Sequence, residues 1–297
     1  MKPRAISPDT TYLITRRTTQ RLFLLRPSTD INAALRYCMA LAQKRAVGIK
    51  IHAITFMSNH YHIVLTDTKG NLPVFTEELH KLIARCLNCH HGRWENFWAA
   101  SAQTSHVQLI SSKDVLAKIA YTLANPTEAL LVSHGDKWPG VRLFRKGTYV
   151  AKKPKFFFRT KDKGGKLPKS LDLELTAPPI GVNEKLADDV VQKAASAREK
   201  RLRDAANAAG KRFLGAKGVL NQKIYSSPQA PASRRGLSPS VASADKWRRI
   251  EALAANAAFA RDHEDARKSF ITGDREAIFP FGTYRFARQF GACCAEA

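Results

Sequence analysis

Two histidines bracket Tyr61 in the run Met57 to Leu65, MSNHYHIVL, and their spacing is the first hint of chemistry in the chain. On a strand, residues i and i+2 project from the same face about 7 Å apart, near enough for the imidazoles of His60 and His62 to share one metal ion. Ile63, Val64 and Leu65 favour a buried strand for this run. A chain with nine histidines also produces such pairs by chance, as packing or surface residues. A second candidate is Tyr121, followed at helical spacing by Asn125, so that a nucleophile and an amide ligand share one helix face. A phenol that attacks a phosphodiester forms an aryl phosphate. The bond energy is kept, and a 3′ hydroxyl can later reverse the step without ATP. The plainer readings are a packing aromatic for Tyr121 and a helix start for Asn125-Pro126-Thr127-Glu128.

The elements that would have to position these residues follow from periodicity. Thr11 to Thr15 reads as a strand, and Asp30 to Ala46 as a helix with Asp30 as N-cap. Ile49 to Phe56 alternates like a strand, and a tight turn at Met57-Ser58-Asn59 leads into the strand His60 to Thr66. A helix from Pro73 to His91, a strand from Thr104 to Ile110 and a helix opened by the capping-box-like Ser111 to Asp114 complete the first half. The order strand, helix, strand, strand, helix, strand, helix predicts an α+β fold. Its expected form is an antiparallel, ferredoxin-like or RRM-like sheet with helices on one face.

Past Val150 the composition shifts. Lys152, Lys153, Lys155 and Phe156-Phe157-Phe158-Arg159 lead into a Gly/Lys-rich stretch, Lys161 to Lys169, that reads as a basic linker. Glu184 to Lys211 reads as an exposed charged helix, Ser226 to Ser240 as a flexible segment, and Asp245 to Ser269 as a last helix. Three regions are therefore expected: residues 1–150 carrying the chemistry, 151–240 a basic linker and charged helix, and 241–297 a helical carboxy-terminal region.

Forty-nine Lys and Arg against 25 Asp and Glu give 297 residues a formal charge of +24, which attracts a polyanion. Arg16, Arg17 and Arg21 beside the first strand, with Lys152, Lys153, Lys155 and Arg159, are the candidate phosphate contacts, and the neighbouring Phe rings could stack on unpaired bases. For any single cation a solvated surface role is the alternative. No apolar run spans a membrane and none follows a basic start, so a cytoplasmic, nucleoid-associated protein is expected. Five Cys at irregular spacing point to reduced thiols. Cys86-Leu87-Asn88-Cys89-His90 matches a haem-attachment pattern, but it falls inside an amphipathic helix and no second CxxC accompanies it. Cys293-Cys294 and Tyr284 are read as functionless and as packing, respectively.

Three segments together, Met57 to Leu65, Gly92 to Ala99 (GRWENFWA) and Tyr121 to Val132 (YTLANPTEALLV), resemble the REP-associated tyrosine transposases, single-tyrosine HUH enzymes related to insertion-sequence transposases. The resemblance covers roughly residues 10 to 150. It implies the HUH nuclease fold, a metal pair at His60 and His62 completed by Asn125, a nucleophile at Tyr121, and Tyr61 pointing away from the metal. It further implies Mg²⁺ or Mn²⁺ as cofactor and single-stranded or hairpin DNA as substrate, cleaved and rejoined through a 5′ phosphotyrosine. Zinc suits the histidines better, yet a site without Cys or carboxylate ligands need not be a zinc site. The alternative is a non-catalytic DNA- or RNA-binding descendant on the same fold. Whether one chain or two build the site stays open at this stage.

Overall fold

The computed structural model describes residues 3–100, 104–157, 167–229 and 239–296. Four strands form its centre: β1 (Thr10–Arg17), β2 (Ile49–Phe56), β3 (His60–Asp67) and β4 (Ser105–Leu109). β3 lies antiparallel between β2 and β1, and β1 pairs antiparallel with β4 on its other side. Four further strands extend this centre: β5 (Arg142–Leu143), β6 (Gly147–Lys152), β7 (Ser170–Leu175) and β8 (Val241–Ala242). The sheet runs β6-β7-β2-β3-β1-β4-β8, with β5 also on β2; β7 joins β2 and β8 joins β4 in parallel.

Seven helices accompany the sheet among the described residues: α1 (Thr29–Arg45), α2 (Leu72–His90), α3 (Ser112–Glu128), α4 (Glu184–Ala208), α5 (Gly215–Leu220), α6 (Lys246–Ile271) and α7 (Arg285–Phe290). The α+β class expected from the sequence is the one found, with two departures. The sheet is mixed, and helices cover both faces. On one face Ile14, Ile54, Tyr61, Ile63 and Leu65 pack against α1 and α2 through residues such as Leu35, Met39, Leu79 and Ile83. On the other, Leu13, Ala53, Val64 and Val107 pack against Val115, Ile119 and Leu123 of α3, with Ala187, Val191 and Ala195 of α4 behind them. Central strands buried on both sides need a second layer, and α3 and α4 supply it.

The alternation in β2 is broken for a reason. Ile49 and Ile51 face α1 and α2, as do Ile54 and Phe56, so the parity changes between positions 51 and 54. A bulge at His52 absorbs the extra residue. Its buried ring bonds on both sides, with Nδ1 donating to the Thr176 carbonyl at 3.1 Å and Nε2 2.8 Å from Thr66 Oγ1.

The cap of α1 is Ser28, whose side chain accepts from the Ile31 amide at 3.1 Å; Asp30, expected there, sits in the first turn. Ser111 and Asp114 do form the capping box of α3, and Asn125 lies inside that helix and does not start one. From the stretch read as basic linker, Ser170–Leu175 enters the sheet as β7, with Leu171, Leu173 and Leu175 turned inward. Phe157 is buried against Tyr37, ring centroids 6.0 Å apart, and Phe156 lies 4.4 Å from His90, so both rings are committed to packing and not to bases. Phe158, Arg159, most of Lys161 to Lys169 and most of Ser226 to Ser240 lie outside the described residues. Among the described residues no helix is long and apolar enough to cross a membrane.

Candidate active site

β3 alternates, so Tyr61 and its two neighbours part company. Tyr61 is fully buried on the α1 and α2 face, its hydroxyl 2.5 Å from His80 Nε2. His60 and His62 turn to the opposite face, their ring centroids 4.9 Å apart. α3 crosses this face. Its apolar stripe, Val115, Ile119 and Leu123, lies on the sheet and sets the helix rotation, which brings Tyr121 to 5.2 Å from His62, edge to face. Asn125, one turn on, interacts through its side chain with both His60 and Tyr121. Residues far apart in the chain, His60, His62, Tyr121 and Asn125, thus converge on one spot.

Each imidazole is held by its Nδ1. His60 Nδ1 donates to Asn59 Oδ1 at 2.7 Å, and His62 Nδ1 lies 3.1 Å from Thr15 Oγ1. Asn59 is itself anchored, its Nδ2 donating to the Arg21 carbonyl at 3.0 Å and its own carbonyl accepting from the Thr18 amide at 2.9 Å. Such outer contacts fix the ring orientation and leave Nε2 for a ligand. His62 Nε2 is buried and has no hydrogen-bond partner. An orphaned imidazole nitrogen is costly unless something binds it. Burial pulls His60 down to about 4, helped by Arg17 and opposed by the Asn125 contact. His62 falls well below its ordinary value through burial and the nearby His60 and Lys118. Both rings are neutral at neutral pH, the form that ligates metals. Two imidazoles and an amide oxygen, with one nitrogen unsatisfied, fit a divalent ion that keeps open positions. No group of three or more His, Cys, Asp or Glu that could hold a metal is gathered among the described residues.

Burial, with Glu128 nearby, raises the Tyr121 phenol, while the Asn125 hydrogen bond and Arg198 lower it. The phenol is therefore protonated at rest, and cations close to it matter. Arg198 of α4 lies 5.3 Å from the ring centroid while pairing with Glu128 at 2.9 Å, and Lys118 lies 5.5 Å away. A buried pair, Arg142 with Glu199 at 3.2 Å, ties α4 to β5, and Arg142 Nε also donates to the Leu123 carbonyl of α3. Asn59, Thr15, Lys118 and Arg198 are the site residues that sequence reasoning missed. Only Lys118, one turn before Tyr121 on its helix, had a local signal.

The expected phosphate contacts separate. Arg17 and Arg21 line a groove of about 420 Å³ that opens beside His60, with Asn59, Ala129 and Gln222 on its walls. Arg16 faces the other way: its Nη1 is 2.6 Å from His80 Nδ1 and its guanidinium lies over Trp98 at 5.4 Å. Lys152, Lys153 and Lys155 fall at and beyond the end of β6, a sheet edge away from Tyr121, and Lys153 Nζ donates to the Phe157 carbonyl. Two further cavities, both larger than this groove, lie on the face opposite Tyr121.

No family model matches the chain, and no curated protein does. Among solved structures it is similar to a REP-associated tyrosine transposase bound to a REP hairpin, at 21% identity and a TM-score of 0.39. That match covers 46% of this chain and 78% of the other. It is also similar to a candidate transposase from Deinococcus radiodurans R1, at 18% identity and a TM-score of 0.29, covering 36% of this chain and 84% of that one.

Proposed function

We propose that this chain is a metal-dependent single-tyrosine DNA strand transferase, of the REP-associated transposase kind, that cleaves and rejoins single-stranded or hairpin DNA. The observation that carries the reading is the convergence of His60, His62, Asn125 and Tyr121 on one face of the sheet, with His62 Nε2 unsatisfied. His60, His62 and Asn125 would hold Mg²⁺ or Mn²⁺, which when bound supplies charge neutralisation at the scissile phosphate. Tyr121 Oη attacks phosphorus, the bond to the 3′ oxygen breaks, and the products are a 5′ phosphotyrosine and a 3′ hydroxyl that takes up the proton. Attack by a 3′ hydroxyl on the phosphotyrosine reverses these changes and rejoins the strand. Asn125, in contact with both the phenol and His60, fixes the nucleophile relative to the ligands. Arg198 and Lys118 offset charge that develops as the phenol loses its proton. Arg17 and Arg21 offer phosphate contacts along the groove beside His60.

The test is a denaturing gel after incubating the full chain with labelled hairpin DNA and Mg²⁺ or Mn²⁺. Wild type is expected to form a covalent adduct, Tyr121→Phe none. His60→Ala or His62→Ala should abolish the adduct while keeping most of the salt-dependent affinity. An adduct that survives in Tyr121→Phe removes the nucleophile, and joint loss of adduct and affinity makes the histidines structural.

A further inference from the structure

Two large cavities among the described residues belong to a region that the strand-transfer reading does not use. One, about 1000 Å³, is bounded by the amino-terminal segment around Arg4 and Ile6, by His106 and Gln108 of β4, and by α6 through Ala257, Arg261 and Lys268. The other, about 860 Å³, continues it past Arg16, Phe259 and His263 to Arg285 and Phe286. They share Pro3, Arg4, Ile6, His106 and Glu264, and so form one elongated cleft. Its floor belongs to the α1 and α2 face of the sheet, because His106 and Gln108 stand opposite Ile14 and Tyr12 in the β1–β4 ladder. Tyr121 is on the other side.

The cleft is cationic and incompletely satisfied. Its two carboxylates are already paired, Glu264 with Arg267 at 3.1 Å and Asp265 with Lys268 at 3.7 Å. Among the described residues Arg4, Arg16, Arg261 and Arg285 have no carboxylate partner. Two histidines that line it hold buried nitrogens without a hydrogen-bond partner: His263 Nδ1, on a residue 9% exposed, and His106 Nε2. Phe286 and Phe259 stand beside His263, ring centroids 5.6 and 5.9 Å away. Together the two chambers exceed the usual volume of a small-molecule site, about 300–1000 Å³. Guanidinium groups without a carboxylate partner along an open groove match a nucleic-acid single strand, whose phosphates need cations.

We propose that this cleft holds an extended single strand of nucleic acid on the sheet face opposite Tyr121, a second contact surface for the substrate of the proposed strand transferase. The proposal rests on that reading for the identity of the polymer, but its test needs no chemistry. Anisotropy titrations of the full chain with labelled oligodeoxythymidine of 30 nucleotides, run in EDTA over a salt series, count the phosphates engaged. The triple variant Arg4→Ala, Arg261→Ala, Arg285→Ala removes three exposed guanidinium groups. Its logarithmic salt slope is expected to be shallower by about 2, at roughly 0.7 per lost phosphate contact for a single strand. The matching Lys variant should restore the slope. A control that removes the exposed cations Arg36, Lys44 and Lys69 should change it far less. An unchanged slope in the alanine triple, or one equal to the control's, overturns the cleft. Failure of wild type to form a Tyr121 adduct would instead overturn the strand-transfer reading and leave the slope result standing.

Discussion

Glu199 sits one residue after Arg198 on α4, and its replacement by Ala separates a buried ion pair from a surface one on the same helix. The Arg142 and Glu199 side chains are 10% and 7% exposed, with Nη2 and Oε1 3.2 Å apart. At an effective dielectric near 20 that separation corresponds to about 5 kcal/mol of attraction, most of it offset by the desolvation of both groups. Deleting one partner keeps the desolvation cost and loses the attraction. Arg142 would stay between the Leu123 carbonyl and the Phe144 ring with a buried charge that Asp136 only partly offsets. Glu199→Ala should therefore destabilise by about 3–5 kcal/mol. Asp204→Ala, breaking the exposed pair with Lys200, should cost less than about 0.5 kcal/mol. Replacing Arg142 by Met and Glu199 by Leu together should recover most of the loss, because no charge is left alone. Urea unfolding followed by far-UV circular dichroism measures all four proteins. If Glu199→Ala lies within about 1 kcal/mol of wild type, the pair does not anchor α4, and the placement of Arg198 over Tyr121 loses its structural reason.

Three further outcomes follow from the same geometry. Burial holds the His52 ring at about 4 against an ordinary 6.5, so between these values the unfolded chain binds a proton that the folded chain refuses. Its contribution is intact above about pH 6.5 and is lost as pH falls toward 4. His52→Gln should then lose roughly 2–3 kcal/mol less than wild type between pH 7.5 and 4.5 in urea titrations; equal losses would contradict the assignment. Arg198→Ala removes a cation that lowers the Tyr121 phenol, so adduct formation should slow about tenfold near neutrality and regain rate as pH rises, and a pH-independent deficit would argue against this role. Asn59→Ala frees His60 Nδ1 and should weaken Mn²⁺ binding about 10- to 100-fold by calorimetry, with DNA affinity in EDTA unchanged; unaltered Mn²⁺ affinity would show that Asn59 does not orient the ring.

The parts of the site that sequence could reach were those with local signatures. α3 announces itself through Ser111 and Asp114, and the opposition of Tyr61 to His60 and His62 follows from strand geometry alone. Ser28 escaped because Asp30, two residues on, is an equally good cap by type, and only the Ile31 amide distinguishes them. β7 carries a clean alternation at Leu171, Leu173 and Leu175, hidden by the lysines before it. Arg198 could not be reached at all. α4 docks through Ala187, Val191 and Ala195, a stripe too small to stand out in a charged helix, and the partner that fixes it, Arg142, is 57 residues away in the chain. Arg16 and Arg17 look alike in sequence, yet strand parity sends one to His80 and the other to the groove beside His60.

One bond, between Tyr121 and a 5′ phosphate, defines the proposed chemistry. Digesting the DNA-treated protein with protease and nuclease, then sequencing the modified peptide by mass spectrometry, reads that bond directly. The expected product is a nucleotide attached through its 5′ phosphate to Tyr121, formed only with Mg²⁺ or Mn²⁺ and absent when His62 is Ala. A nucleotide on another residue, or an unmodified Tyr121 peptide in protein that has cleaved its DNA, would rule out Tyr121 as the nucleophile.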